Sequence, residues 1–349
     1  MKNGITTIKI GTIIGEGIGE ELFKAVNIIT DAVSKKEKIE FKFEQGPDIK
    51  FPIKSKRGVV NNLYKFYEDC IKMNIPILSG PLSGGLVYSL RKRFDLFIKI
   101  VPILSLLPNN DRLLKKDIDI LLLRQNNSGD FFGRNKIITN ASGIRVAVQN
   151  IRYSELEIKR LAESSLKLAQ QRKSEVSVFL KRDGFKAIGR LWEDVFQNIK
   201  DQYFEHVKLN FCNPDMGICE VIRSPENFDI IVTTNEVGDI ATDVLITIFN
   251  KSRGMGCSGN FNEKGFGSYQ TVHGGAVDIA GKNIANPIGH ISALAMLLEY
   301  SYGLTQIYND IHRAIKSVLS KGYRTFDIGD SNSKIVDTLS MASFIANEI

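Results

Sequence analysis

Asp239 and Asp243 stand four residues apart in the segment NEVGDIATD, where the apolar run Phe228 to Val232 gives way to a turn at Asn235 and Gly238. On a helix beginning at that turn, this spacing sets both carboxylates on one face, so their oxygens can meet on one cation. Hard oxygen donors suit Mg²⁺ or Mn²⁺. Taken alone, such a pair is more often a plain acidic helical face near an N-terminus, where the helix dipole favours negative charge, and its neighbours must decide. Arg124 closes the apolar run Ile118 to Leu123, and open α/β sheets gather ligand contacts at strand ends. It is therefore either a carboxylate clamp or a solvated strand-end arginine. Lys181 directly follows the apolar segment Glu175 to Leu180. A lysine with a buried stem at a strand end can move protons, and a surface charge is the simpler alternative. Asp215, a third carboxylate, lies just past the strand near Val207 to Phe211.

The elements that must position these residues alternate between strand and helix. Ile8 to Ile14 reads as a short apolar strand, followed by the turn Gly15-Glu-Gly-Ile-Gly19 and a helix through Leu22, Ala25, Val26, Ile29 and Ala32. Three glycines of this kind fit a dinucleotide fingerprint only loosely, because the third falls one position early. Ile75 to Leu78 predicts a second strand, and Ile118 to Arg124 a buried one. After the polar loop Gln125 to Gly133, Ile137 to Thr139 and Ile144 to Val148 alternate like an antiparallel arm. Helices are expected over Tyr153 to Gln171, Lys186 to Ile199 and Ile291 to Leu304. The stretch Tyr269 to Pro287 is dense in Gly, Asn and Pro, and long ordered loops of that composition usually bind something.

The chain has 349 residues with 43% hydrophobic content, enough for a large core and two domains. Its formal charge of +7 comes from 46 Lys and Arg against 39 Asp and Glu. The charges are dispersed, which points to an anionic small ligand and away from nucleic acid. Cys70, Cys212, Cys219 and Cys257 show no CxxC spacing, which fits a reducing compartment and argues against structural zinc. No run reaches the roughly 18 apolar residues of a membrane span, and the first residues read as a strand rather than a leader. The expectation is a cytoplasmic protein or an already processed form, with no membrane partner.

These motifs, taken in order, resemble the isocitrate/isopropylmalate dehydrogenase family of decarboxylating dehydrogenases. The resemblance rests on the glycine turn at Gly15, the LRK run at Leu90, LLLRQNNSGDFFG around Arg124, Lys181, Asp215 eight positions before Arg223, NEVGDIATD, HGGAVDIAGKNIANP and Thr325 to Gly329. It implies an α/β isopropylmalate dehydrogenase-like fold, with two domains around a central cleft and no Rossmann-type dinucleotide fold. The large domain would comprise 1–98 and 251–349, and the small domain, with arm, dimer interface and metal site, 99–250. Arg91 and Arg124 would bind substrate carboxylates, and Asp239 and Asp243, with Asp215, would bind Mg²⁺ or Mn²⁺. Lys181 would be catalytic, and it and Asp215 would reach a neighbour's cleft. His273, Gly274, Asp278, Ile279 and Asn286 would hold the nucleotide. A carboxylate at Asp278 bonds a ribose hydroxyl but repels a 2′-phosphate, which favours NAD over NADP. Expected partners are a small carboxylic acid and a second subunit, either identical or a catalytic paralogue.

The chain also departs from the family pattern. Val101 replaces an arginine ten residues past Arg91, and losing one carboxylate clamp in a desolvated cleft costs about 1.5–3 kcal/mol of binding. Phe131 occupies the catalytic tyrosine's position, and a phenyl ring has no proton to give. The loop between Gly80 and Arg91 is shorter than in either branch of the family, and Gln270 and Thr271 replace a usual Glu-Pro. One reading is NAD-dependent oxidative decarboxylation of a 2-hydroxy acid, isocitrate first and 3-isopropylmalate second. Another is a regulatory subunit that lends Lys181 and Asp215 to a partner; a third is a pseudoenzyme that only binds nucleotide or metabolite.

Overall fold

The computed structural model describes residues 6–49 and 56–349; residues 1–5 and 50–55 of the expected large domain lie outside them. In chain order the elements are β1 (Thr6–Ile13), α1 (Gly19–Glu37), β2 (Ile39–Gln45), α2 (Lys56–Met73), β3 (Ile77–Ser79), α3 (Gly84–Arg93), β4 (Ile98–Leu104) and β5 (Asp119–Gln125). There follow β6 (Asn135–Thr139), β7 (Arg145–Gln149), α4 (Glu155–Gln170), β8 (Glu175–Phe179), α5 (Lys186–Tyr203), β9 (Lys208–Cys212), α6 (Pro214–Arg223), β10 (Ile230–Thr233) and α7 (Asn235–Asn250). The chain ends with β11 (Cys257–Phe261), β12 (Gly267–Thr271), α8 (Ile288–Tyr302), α9 (Thr305–Ser320), β13 (Tyr323–Arg324), β14 (Lys334–Ile335) and α10 (Thr338–Glu348).

Ten strands form one sheet in the order β2-β1-β3-β12-β11-β4-β5-β10-β8-β9. The first five come from the two ends of the chain and the other five from its middle, and the sheet runs unbroken between β11 and β4. Pairing is parallel in both outer parts and antiparallel around β11, β4 and β5. Strands β10 and most of β5 are buried on both faces, which explains their uninterrupted apolar sequence. Helix α8 is buried from Ile288 through Leu298, as expected of a helix without a polar face.

Local chemistry sets the boundaries. Ser154 caps α4 in a capping box with Glu157, so this helix starts two residues later than its periodicity predicts. Gly303, at φ 68°, ends α8 in the left-handed conformation. Strand β3 begins only at Ile77, because Pro76 has no N–H to give the ladder. The expected loop at 269–287 gives its first three residues to β12, so the irregular segment is 272–287. The two-stranded arm β6–β7 is present, and Ile137, Ile138, Ile144 and Val146 are exposed on it or at its turn. No helix among the described residues is long and apolar enough to cross a membrane.

Candidate active site

The parallel strands β5, β10, β8 and β9 end level with one another: Arg124 pairs with Thr233, Thr233 with Phe179, and Phe179 with Cys212. Each therefore delivers its following residues to one edge of the sheet. Arg124, 1% exposed, crosses under the start of α7. Its Nε donates to Asn235 Oδ1 at 2.7 Å, and its Nη1 to Asp239 Oδ1. Gly238 is the residue that lets the helix sit so close, since a Cβ there would lie 2.9 Å from Arg124 Cγ.

Helix α3 brings Arg91 to the same place from the other side. Its guanidinium is buried, and Nε and Nη1 have no hydrogen-bond partner. Burial, then the nearby Arg124 charge, pushes it down to about 9, so it remains a cation at neutral pH. Lys99 joins them from β4, 4% exposed and placed opposite Arg124 in the antiparallel register. Burial, with the charges of Arg91 and Arg124, pushes its ammonium well down. Arg91, Lys99 and Asp239 line one cavity of about 150 Å³ together with Pro81, Leu82, Val87 and Tyr88. Burial pushes the Asp239 carboxyl up, but the Arg124 charge and hydrogen bond outweigh it and hold it below the usual range.

Asp243 lies one turn along α7 and accepts from Arg253 Nη1 at 2.8 Å. The two carboxylates expected to share a cation are thus each turned to a different arginine. Asp239 Oδ2 and Asp243 Oδ1 make no hydrogen bond among the described residues, so the pair fits half of a hard-cation site with one oxygen from each side chain. Asp215 does not join them. It pairs with Lys181 Nζ at 2.7 Å on the exposed surface, and that hydrogen bond holds its carboxyl below the usual range. No group of three or more metal-ligating side chains occurs among the described residues, so the three-aspartate set does not assemble within one chain. Phe131 lies at the rim, its ring 5.8 Å from the Arg124 guanidinium and 5.4 Å from the Tyr88 ring. Val101 is fully buried in β4.

A second cavity of about 480 Å³ adjoins the first, and His273 and Gly274 line both. Asp278, Ile279 and Asn286 line the second as well, so all five residues expected to hold the nucleotide face one space. His273 donates through Nδ1–H to the Gly274 carbonyl at 2.9 Å, while Nε2 is buried without a partner. Burial pushes this imidazole down, favouring the neutral ring. Asp278 is exposed and makes no hydrogen bond or ion pair among the described residues. Asn286 accepts from the Ile288 amide at 3.0 Å and donates to Asp327, which fixes it at the start of α8. An unpaired carboxylate, a buried orphan nitrogen and an exposed Phe326 on one wall fit a nucleoside. The glycine turn after β1 acts as a clasp rather than a phosphate cradle. The Ile18 amide donates to the Gly275 carbonyl, the Glu16 amide to the Pro81 carbonyl, and a Cβ on Gly17 would lie 1.8 Å from Gly275 O.

Sequence reasoning missed Lys99 and Tyr88. The available signal for Lys99 was a lone cation inside the apolar run Phe97 to Ile103; for Tyr88 it was only proximity to Arg91.

The family model described as isocitrate/isopropylmalate dehydrogenase matches residues 9–345. The 3-isopropylmalate dehydrogenase of Carboxydothermus hydrogenoformans is 33% identical over 98% of this chain and 94% of that protein. That of Blochmanniella floridana is 34% identical over 98% of each. The crystal structure of isocitrate dehydrogenase from Methylococcus capsulatus superposes with a TM-score of 0.85 at 24% identity, covering 98% of this chain and 99% of that one. That last likeness speaks for the fold.

Proposed function

The chain belongs to the isocitrate/isopropylmalate dehydrogenase family, and from that premise we propose that it carries out NAD-dependent oxidative decarboxylation of a 2-hydroxy dicarboxylic acid with an apolar 3-substituent. The observation that carries this reading is a cavity with a cationic floor, Arg91 and Lys99, and an apolar wall, Leu82, Val87 and Tyr88. We rank 3-isopropylmalate ahead of isocitrate, the reverse of the order expected from the sequence; the apolar wall and the names of the relatives support that ranking.

Arg91 and Arg124 hold carboxylates, since guanidinium groups meet them in a bidentate fork. Asp239 and Asp243 supply carboxylate oxygens to Mg²⁺ or Mn²⁺, and Asp278, Asn286 and His273 line the nucleotide's place. Held there, a divalent cation would supply charge stabilisation for a developing oxyanion, and a nicotinamide would supply a hydride acceptor. Loss of CO₂ from C3 leaves an electron pair there that needs one proton. Phe131 cannot give it; Tyr88, whose ring packs on Phe131 and which lines the same cavity, is the phenol we assign to that role. The division of the chain falls between β11 and β4, near residues 98 and 250, so that the cleft lies between the two halves. The exposed apolar residues at the arm call for a second subunit, because a lone two-stranded ribbon is marginal in water.

The test is NAD⁺ reduction followed at 340 nm with Mn²⁺ and either 3-isopropylmalate or isocitrate. The expected result is faster turnover of 3-isopropylmalate, with Tyr88→Phe lowering kcat by about 10²–10⁴. Turnover of neither acid, with no binding of either, overturns the reading. A second reading keeps support from Val101 and Phe131: a regulatory subunit whose exposed Lys181–Asp215 pair serves a partner's cleft. In that case Lys181→Met depresses a co-purified partner's activity, whereas the chain alone is inactive.

A further inference from the structure

The floor of the smaller cavity carries more positive charge than its surroundings balance. Arg91 has two buried nitrogens without partners, and Arg124 Nη2 is a third. Lys99 makes no hydrogen bond or ion pair among the described residues, although it is buried. It also stands directly across the ladder from Arg124, an arrangement of like charges that disfavours folding. The acidic groups nearby are committed, Asp239 to Arg124 and Asp243 to Arg253. Buried, unpaired cations persist in folded proteins chiefly where a ligand brings the compensating charge. A polyanion must do so here.

Residues 99 and 101 of β4 share one face of the sheet, because strand side chains alternate with period two. Val101 is fully buried and apolar, so a cation at 99 covers the same face from one step along the strand. A lysine stem spans that step.

We propose that Lys99 is a substrate-binding residue: its ammonium, with Arg91 and Arg124, receives the second carboxylate of a 2-hydroxy dicarboxylate in place of the arginine missing at Val101. The proposal rests on the reading of this cleft as the substrate site. It makes Lys99 a determinant of selectivity for diacids over monoacids, since a single carboxylate satisfies the two arginines alone. It also implies that a bound diacid favours the charged ammonium, which burial beside Arg91 and Arg124 disfavours in the ligand-free protein.

The experiment is calorimetric titration of the full chain in Mg²⁺ with 3-isopropylmalate, malate and lactate, alongside ligand-free thermal melts. Wild type is expected to bind both diacids more tightly than lactate. Lys99→Met should weaken the diacids about 10–100-fold and leave lactate within about twofold. Its ligand-free melting temperature should stay level or rise, whereas a lysine with a merely structural role would lower it on removal. Lys99→Arg should stay within a few-fold of wild type, and Lys99→Met with Val101→Arg should recover diacid binding. If Lys99→Met does not fold, Lys99→Gln carries the same comparison. Unchanged diacid affinity in Lys99→Met overturns the proposal while leaving the substrate site intact. Failure of the wild type to bind any of the three acids overturns the site reading and the proposal with it.

Discussion

Replacing Asp239 with asparagine separates two jobs that the structure gives one side chain. In the ligand-free protein Asp239 pairs with Arg124, whose side chain is 1% exposed. Removing one partner of a fully buried pair costs about 3–5 kcal/mol. The Asp239 side chain, however, is 56% exposed, the amide oxygen can still accept from Nη1, and Arg124 keeps its bond to Asn235. Solvent screening brings the cost to about 1–2 kcal/mol. Unfolding entropy of about 2.1 cal/mol/K per residue over the whole chain comes to about 0.7 kcal/mol/K, so the metal-free melting temperature should fall by roughly 1.5–3 °C. In the wild type, Mg²⁺ at about 100 times its Kd adds about 2.7 kcal/mol, or roughly 4 °C. Asp239→Asn should abolish that rise, because the amide oxygen carries no charge for the cation. Differential scanning calorimetry with and without Mg²⁺ reads both effects. A variant that keeps the full Mg²⁺ response refutes Asp239 as a ligand; one with an unaltered metal-free melt refutes the weight given to the Arg124 pair.

Asp278→Lys should narrow or reverse a preference for NAD⁺ over NADP⁺ measured by calorimetry; equal wild-type affinities would count against the role of Asp278. His290 and His312 supply a pH dependence, since burial pushes them down to about 3 and about 4. Their folded values lie below the unfolded value near 6.5, so the stability they contribute is present above that pH and is lost as pH falls towards 4 and 3. At pH 5 each is about 1.5 units into that window, a loss of about 2 kcal/mol per histidine relative to pH 7. Urea unfolding at the two pH values should show it, and His290→Leu should remove about half of this histidine contribution; an undiminished loss in the variant would contradict the buried neutral ring.

What the sequence determined by itself was local. Arg124 at a strand end, the one-turn spacing of Asp239 and Asp243, the arm, and the loop carrying His273, Asp278 and Asn286 follow from periodicity and turn residues, which depend on near neighbours. Only the tertiary structure decided which side chains meet. Asp239 is held by an arginine 115 positions away, which changes it from a waiting ligand to one side of an ion pair. Lys99 enters the cleft because residues 98–104 pair with 119–125. In a strand buried on both faces, alternation cannot tell which face is the cleft. Charge balance is likewise a sum over groups from distant segments, and it was visible only once β4, β5, α3 and α7 had been brought to one edge of the sheet.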